Sequence, residues 1–214
     1  LLRDELGWSE YFRWDNDDVM AAVYYSEAEE AEGFVIYYIE EEIFYIKEMI
    51  SMNEDARTGL WNFVSAHFSM ISKVKGSTYT DEPLAFLLED ADITETIAPY
   101  SMARIVDVVE FIKDYPFKQD TEERSWVFSL YDPMLEWNQG IFRLDIDHEG
   151  SGSLTRVAEP SDDSIDIATL TTMLMGYKSP DYLRKIRRII CDEKTIDMLE
   201  DSIEQETPYF SDFF

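Results

Sequence analysis

The sequence is poor in the residues that build several common kinds of functional site. One cysteine, Cys191, and two histidines leave no disulfide framework and no His/Cys spacing typical of a metal site in 214 residues. Only 18 basic residues stand against 46 acidic ones, a formal net charge of −28. Because phosphate neutralisation needs clustered Lys and Arg, this charge argues against nucleic acids and anionic membrane surfaces as partners.

Long apolar runs are also missing. No stretch is long enough to span a bilayer and no secretory signal peptide is present, so with a single cysteine we expect a reducing, cytoplasmic setting. The sequence begins at Leu1 without Met, and its first residues look like the middle of a fold. We therefore expect a fragment of a longer protein whose N-terminal part lies upstream.

The residues that are present predict a folded protein. Hydrophobic residues make up 45% of the chain and aromatic residues 14%, which is enough to bury a core. The surplus of carboxylates would attract cationic substrates or partners. An ordinary solvated acidic surface explains the same surplus, and we favour that interpretation for most of it.

The first half of the chain has the pattern of an open mixed sheet with packed helices. Runs rich in β-branched and aromatic residues predict strands, and apolar residues at helical spacing predict helices. In order, the predicted elements are strands 19–26, 34–39 and 43–52, a helix over 54–75, a strand over 77–80 and a short helix beginning at Pro83.

The second half predicts a small antiparallel sheet followed by three helices, so that the whole chain is of the α+β class. We place the boundary near Pro99, which gives domains 1–98 and 99–214. In order, the predicted elements are a strand over 102–106, a helix over 108–115, strands 124–131, 141–147 and 153–157, and helices 168–175, 181–190 and 193–203.

The junction between strand 43–52 and the next helix has the outline of a phosphate site. Asn53 is a good N-cap, and free N–H groups at a helix N-terminus attract anions. A pyrophosphate would also need small residues, and the junction offers only Gly59, with one nearby arginine, Arg57. Glu54 and Asp55 lie where phosphate would sit. The geometry therefore favours phosphate binding and the electrostatics oppose it.

Six segments resemble, in the same order, the multidomain acetyltransferases of the enhanced-intracellular-survival (Eis) type. Proteins of this family look like three units in series: a GNAT domain that binds acetyl-coenzyme A, a degenerate GNAT-like repeat, and a sterol-carrier-protein-2-like (SCP2-like) domain. This chain resembles the second and third. The segments are KEMISMNEDARTGLWNFVSAHFSM (47–70), EPLAFLLED (82–90), MARIVDVVEFIKDYPF (102–117), NQGIFRL (138–144), LTTMLMGYKSP (170–180) and PYFSDFF (208–214).

The resemblance implies a GNAT-like mixed sheet with packed helices, followed by an SCP2-like antiparallel sheet with helices. It implies transfer of acetyl from acetyl-coenzyme A to an aminoglycoside-, polyamine- or lysine-like amine. An N-terminal GNAT domain that is absent here would hold the coenzyme. This part would bind no coenzyme and would be inactive on its own. Arg57 to Gly59 would be the remnant of the coenzyme loop, although a working loop is the alternative. Family members also look oligomeric, often hexameric.

The aromatic end of the chain is the candidate catalytic element. Four aromatic rings, at Tyr209, Phe210, Phe213 and Phe214, are costly to leave in water, so we expect the end to be docked. In the resembling family the terminal carboxylate takes part in proton transfer, and Phe214 matches that position. Asp212, Glu206 and Phe213 would line the substrate pocket. The alternative is that the end of the chain is docked for stability or oligomer packing, and that Asp212 and Glu206 are solvated surface acids.

A rival function is a non-catalytic module that holds a lipid or acyl chain, and a third is a structural oligomerisation piece. Met173, Leu174 and Met175 would line a lipid tunnel, although a plain core is the interpretation that we favour for them. Cys191 falls in a helical pattern and is expected to be a buried structural thiol. The single basic cluster, Arg184 to Arg188, is expected to pair with acids of another domain or subunit.

Overall fold

The chain divides into two compact units, which we call unit 1 (Leu1–Leu84) and unit 2 (Ala85–Phe214). The computed structural model describes residues 3–12, 19–78, 84–88, 92–98, 102–120, 122–206 and 208. The α+β class is confirmed, because each unit combines a mixed sheet with helices. The boundary expected near Pro99 stays a prediction.

Unit 1 is a four-stranded sheet in the order β1-β2-β3-β4. The first three strands are antiparallel, and β4 lies parallel to β3. Its elements are α1 (Glu5–Phe12), β1 (Met20–Tyr25), β2 (Ala31–Glu40), β3 (Ile43–Ser51), α2 (Glu54–Ser65) and β4 (Lys73–Gly76), and α3 (Leu84–Leu87) lies where the two units meet in sequence.

One face of this sheet packs against α2. Leu60 and Val64 recur at helical spacing on α2 and are buried with Val35 of β2. Tyr37 and Phe44, from neighbouring strands, stack with ring centroids 4.5 Å apart. The predicted β2–β3 turn is confirmed, and its two residues, Glu41 and Glu42, have φ of 48° and 62°. The core of unit 1 therefore depends on one helix and two central strands.

The helix predicted over 54–75 is wrong in its second half. The helix α2 ends at Ser65, and Lys73–Gly76 is strand β4, pairing with β3 from Ile43 to Ile46. Backbone hydrogen bonds to the free edge of β3 outweigh the helical spacing of the side chains there. The strand predicted over 77–80 is therefore displaced: residues 77 and 78 have no regular structure, and 79 and 80 lie outside the described residues.

Unit 2 is a five-stranded sheet in the order β7-β6-β5-β8-β9, covered by helices. Its pairs are antiparallel except β5 with β8, which is parallel, so the expected antiparallel sheet is in fact mixed. Its elements are α4 (Val108–Asp114), β5 (Arg124–Tyr131), a 3-10 turn (Glu136–Asn138), β6 (Gly140–Ile146), β7 (Gly152–Arg156), β8 (Ser164–Asp166), α5 (Ile167–Leu174), α6 (Pro180–Lys185), β9 (Ile189–Ile190) and α7 (Glu193–Ser202).

Apolar residues alternate with charged ones along β6, a sequence pattern that predicts one buried and one wet face. The structure confirms it: Phe142, Leu144 and Ile146 are buried, whereas Arg143 is exposed. Trp126, Phe128 and Leu130 of the neighbouring strand β5 face the same core. Full burial of such a side chain is worth about 1.5–3 kcal/mol relative to exposure. These two central strands therefore supply much of the stability of unit 2.

The helix predicted over 181–190 is wrong beyond Lys185. Arg187 adopts φ of 61°, its N–H donates to Arg184 O at 2.8 Å, and Arg188 N–H donates to Leu183 O at 2.8 Å. This pair of bonds is a Schellman motif, which ends the helix. The chain then forms β9 at Ile189 and Ile190, so the half-buried Cys191 follows a strand and not a helix.

The strand predicted over 102–106 is also wrong. Ile105 N–H donates to Thr171 Oγ1 at 3.3 Å, and Val106 O accepts from Asn138 Nδ2 at 3.0 Å and Trp137 Nε1 at 2.9 Å. Polar side chains thus take the place of a neighbouring strand and satisfy this backbone.

Candidate functional site

The junction between β3 and α2 is capped as predicted. Asn53 Oδ1 accepts from Ala56 N–H at 2.8 Å, and Asn53 Nδ2 donates to Glu32 Oε2 at 2.9 Å. Both polar atoms of the Asn53 side chain therefore have hydrogen-bond partners within the protein. The start of α2 is bordered by the carboxylates of Glu32, Glu54 and Asp55.

Arg57, the basic residue of this junction, faces Glu54. Its Nε donates to Glu54 Oε2 at 2.9 Å, and its Nη2 donates to Glu54 Oε1. The hydrogen bond from Arg57 holds the pKa of the Glu54 carboxyl below its ordinary value. The guanidinium is thus engaged by an acid one helical turn away.

Gly59 makes room for a side chain of the sheet. A Cβ at this position would lie 2.3 Å from Cε2 of Tyr24 on β1. The glycine is therefore explained by close packing of α2 on the sheet. Sequence reasoning missed Tyr24, because nothing local to Gly59 points to a residue 35 positions earlier.

The edge of β3 that faces β4 is paired with that strand over only part of its length. β4 pairs with Ile43 to Ile46, and the β2–β3 register then shifts, with Ile36 opposite Glu48 and Tyr37 opposite Ile46. Among the described residues, the pairing of β3 with β4 therefore ends at Ile46.

Three of the four predicted site residues, Asp212, Phe213 and Phe214, lie outside the described residues. The fourth, Glu206, is described and exposed. The backbone leading to it is held by unit 2: Lys118 N–H donates to Ser202 O at 2.9 Å, and Ile203 is fully buried. The backbone oxygen of Glu206 lies against Gly176, just after α5.

Arg124, which sequence reasoning also missed, ties the last turn of α7 to the start of β5. Its Nη1 donates to Met198 O at 3.1 Å and to Ser202 Oγ at 2.7 Å. Its Nη2 meets the carboxylates of Asp120 and Asp201. An arginine that opens a strand gives no signal of this role in the sequence.

A buried carboxylate, Asp132, organises the loop after β5. Its Oδ1 accepts from Arg104 Nη2 at 2.5 Å, and its Oδ2 accepts from Asn138 Nδ2 at 2.9 Å. Burial alone would raise the pKa of Asp132, but hydrogen bonds from Asn138, Arg104 and the backbone N–H groups of Met134 and Leu135 lower it to about 2. Asp132 is therefore a charged anchor for segment 104–108.

Two of the three residues suggested for a lipid tunnel belong to the core, and the third, Met175, is half-buried. Met173 and Leu174 are buried within the main cluster of unit 2, as favoured from the sequence. A surface depression of about 410 Å³ beside α4 is open and is rimmed by Asp107, Glu110 and Asp114. The packing of these two side chains and the acidic rim of the depression both count against a lipid site at these places.

The remaining sequence-based suggestions have structural explanations. In the basic cluster, Arg184 and Lys185 lie 3.7 Å and 2.5 Å from Asp181, and Arg188 lies 3.5 Å from Asp166, so these three pair inside unit 2. The turn between β6 and β7 is a hairpin held by Asp147, whose Oδ1 accepts from the backbone N–H groups of Glu149 and Ser151. The described residues contain no His/Cys/Asp/Glu group suited to a metal ion and no helix long and apolar enough to cross a membrane.

Two protein-family models match the chain in series. Residues 1–105 match the acetyltransferase (GNAT) domain, and residues 108–211 match the sterol carrier protein domain. No curated protein matches. The fold of the chain therefore matches a GNAT acetyltransferase domain followed by a sterol-carrier-like domain.

Solved structures have a similar fold over most of this chain. A conserved Enterococcus faecalis V583 protein, described as a probable N-acyltransferase, is 27% identical with a TM-score of 0.87, over 97% of this chain and 54% of that one. A GCN5-related N-acetyltransferase from Anabaena variabilis ATCC 29413 is 20% identical with a TM-score of 0.76, over 96% and 53%. Eis1 from Mycobacterium abscessus is 16% identical with a TM-score of 0.65, over 85% and 48%.

The last two similarities concern the fold alone. In all three comparisons, this chain spans about half the length of the matched structure.

Proposed function

We propose that this chain is the part of an Eis-type GNAT N-acetyltransferase that does not hold acetyl-coenzyme A. Another GNAT domain would bind the coenzyme, while this chain supplies one wall of the pocket for the amine, the terminal carboxylate at Phe214 and subunit contacts. The observation that carries the proposal is the β3–α2 junction, whose charges and packing do not fit a pyrophosphate.

The charges at the junction oppose an anion. A helix N-terminus carries the equivalent of about half a positive charge. Against it stand the carboxylates of Glu32, Glu54 and Asp55, of which Arg57 neutralises one. The balance is negative, so a phosphate group would be repelled.

The packing at the junction points the same way. Glycines in a coenzyme loop serve to bring backbone N–H groups close to phosphate oxygens. Gly59 instead accommodates the Tyr24 ring. Unit 1 has a mixed sheet packed against α2, which supports our proposal that it kept the sheet geometry of a GNAT domain and lost the phosphate-binding function.

The proposed substrate is a cationic amine of the aminoglycoside, polyamine or lysine type. The net charge of −28 would steer such a molecule, and Glu206 is an exposed carboxylate on the segment that leads to Asp212 and Phe213. An α-carboxyl group ordinarily has a pKa of roughly 3.3–3.7, so the Phe214 carboxylate would need desolvation to act as a base. We propose a cytoplasmic homo-oligomer, possibly a hexamer in the manner of the resembling family.

The first experiment titrates acetyl-coenzyme A into the 214-residue chain by calorimetry and assays acetyl transfer to spermidine. We expect neither binding nor turnover. Micromolar binding that is lost in Arg57→Ala would overturn the assignment of the coenzyme to another domain. A matched control is Lys73→Ala, which removes one positive charge on β4, away from the start of α2.

The second experiment isolates the protein from its source with an antibody raised against this chain. We expect a mass above 25.1 kDa and acetyl transfer from acetyl-coenzyme A to spermidine or to an aminoglycoside. A protein of this mass that transfers no acetyl group to any amine tested would overturn the enzyme proposal itself.

A further inference from the structure

The basic residues of the chain are concentrated in one short stretch of unit 2. Five of the 18 basic residues lie between Lys178 and Arg188, where Asp181 is the only acid, although the whole chain carries a net charge of −28. Three of the five pair with acids of unit 2. Lys178 and Arg187 form no ion pair within the part of the chain that the structure describes. Both positive charges are therefore available to a partner.

The same stretch exposes large apolar side chains. Tyr177, Tyr182 and Ile186 are 55%, 47% and 49% exposed. Lys178 Nζ lies 4.7 Å from the ring centroid of Tyr177 and 5.6 Å from that of Tyr182, so these three side chains form one surface. Ile186 lies one helical turn beyond Tyr182, to whose carbonyl oxygen its N–H donates at 3.1 Å. We call the surface formed by Tyr177, Lys178, Tyr182, Ile186 and Arg187 the α6 face.

A second surface of unit 2 has the opposite charge. The depression of about 410 Å³ beside α4, which we call the α4 depression, is lined in part by the half-buried rings of Phe111 and Tyr115. Its rim carries the exposed carboxylates of Asp107, Glu110 and Asp114. This surface therefore also combines apolar side chains with charges of one sign.

Nearby basic residues leave the rim negative. Arg104, which also lines the depression, donates to the buried carboxylate of Asp132. Lys113 Nζ lies 3.6 Å from a carboxylate oxygen of Glu110. One ammonium group thus stands against the three carboxylates of the rim.

We propose that the α6 face of one copy of this chain docks into the α4 depression of a second copy. The two surfaces are complementary because each presents apolar side chains together with charges of opposite sign. Lys178 and Arg187 would meet the carboxylates of the rim, and the tyrosine rings would cover the apolar lining. Tyr and Arg are also the residues that most often dominate the binding energy of an interface. The inference gives a location to the subunit contacts of the proposed function, and it is argued from the surfaces of unit 2 alone.

A second copy fits the α6 face better than a nucleic acid or an anionic membrane does. A polyanion gains affinity from each contact between a phosphate and a cation, and Lys178 and Arg187 offer two. The exposed tyrosines and Ile186 would find no apolar partner on a phosphate backbone. Two acidic copies repel each other at long range, but at about 0.15 M salt the Debye length is about 8 Å, so this repulsion is largely screened while charges in contact are screened much less.

The test measures self-association of the 214-residue chain by sedimentation velocity over a concentration series at physiological salt. Variant A, Lys178→Glu with Arg187→Glu, reverses the charge of the α6 face. Variant B, Glu110→Lys with Asp114→Lys, reverses the charge of the α4 depression. We expect the wild type to form dimers or larger assemblies and each variant to associate about 100-fold more weakly. None of the four side chains is buried, so we expect both variants to fold.

An equimolar mixture of variants A and B separates loss of docking from loss of folding. Variant A keeps the α4 depression and variant B keeps the α6 face, so the two have one intact pair of surfaces between them. We therefore expect the mixture to form a heterodimer, although each variant alone is a monomer. The matched control is Lys73→Glu with Lys75→Glu, which reverses two exposed charges on β4 and should associate like the wild type.

A wild-type chain that stays monomeric at every concentration would overturn the inference. Wild-type association of variant A or variant B, or a mixture that stays monomeric, would do the same. If a fluorescent oligonucleotide or anionic vesicles bound the wild type but not variant A, the α6 face would belong to a polyanion and the inference would fail. No step measures acetyl transfer, so failure of the interface would leave the proposed activity standing, and loss of that activity would leave the interface standing.

Discussion

The two units differ in how completely each buries an apolar core. Among the described residues, the main cluster of unit 2 contains 20 buried residues, whereas that of unit 1 contains five. In unit 1 the helix α1 buries no residue, and its contacts with the sheet include the Trp8 ring against Phe34. Arg3, just before α1, forms an ion pair with Glu48 at 2.7 Å. Since the free energy of unfolding scales with the buried apolar area, we expect unit 2 to be more stable than unit 1.

The largest expected effect comes from truncating one central phenylalanine in each core. Phe44→Ala in unit 1 and Phe142→Ala in unit 2 should each cost about 3–5 kcal/mol. Calorimetry should show a lower transition shifted only by Phe44→Ala and a higher one shifted only by Phe142→Ala. One shared transition that both variants move equally would contradict the difference between the units.

A smaller effect is expected at the buried carboxylate of unit 2. Asp132→Asn keeps the shape but removes the charge that accepts from Arg104 and two backbone N–H groups, at a cost of about 1–3 kcal/mol. Because the pKa of Asp132 is lowered to about 2, its charge stabilises unit 2 above pH 4, and that contribution is lost as pH falls toward 2. Urea midpoints measured between pH 5 and pH 2 should therefore fall more steeply in the wild type than in Asp132→Asn. Parallel pH curves would show that the carboxylate does not have this role.

The smallest effects are expected where a residue other than glycine has a left-handed backbone. Glu42→Gly in unit 1 and Arg187→Gly in unit 2 should each stabilise by about 0.5–1 kcal/mol. Each should raise the Tm of its own unit only. Glu40→Gly is the control, because Glu40 lies in β2, where glycine weakens a strand. Equal destabilisation by Glu42→Gly and Glu40→Gly would contradict the strain at this turn.

Local patterns predicted those elements whose structure is decided locally. The Glu41–Glu42 hairpin and the β6 alternation follow from side-chain spacing. The start of α6 follows from local capping, because Ser179 accepts from Tyr182 N–H and Pro180 takes the first helical position. The errors lie where a distant partner decides. Lys73–Gly76 becomes a strand because β3 offers an edge, and residues 102–106 are held by Thr171 and Asn138 instead of a neighbouring strand.

The candidate site divides in the same way. The capping role of Asn53 and the acids beside it could be read from the sequence, because they are neighbours along the chain. The contacts of Gly59 with Tyr24, and of Gly176 with Glu206, join positions far apart in sequence, and only the folded chain brings them together.

The single thiol of the chain has a practical consequence. Burial, reinforced by the charges of Asp163 and Asp192, raises the pKa of Cys191 to about 11. At neutral pH only about one molecule in 10,000 would then carry the thiolate that reacts with maleimides. The substitution Glu206→Cys, at an exposed position, would accordingly take a fluorophore almost without background labelling and would report on the segment that follows α7.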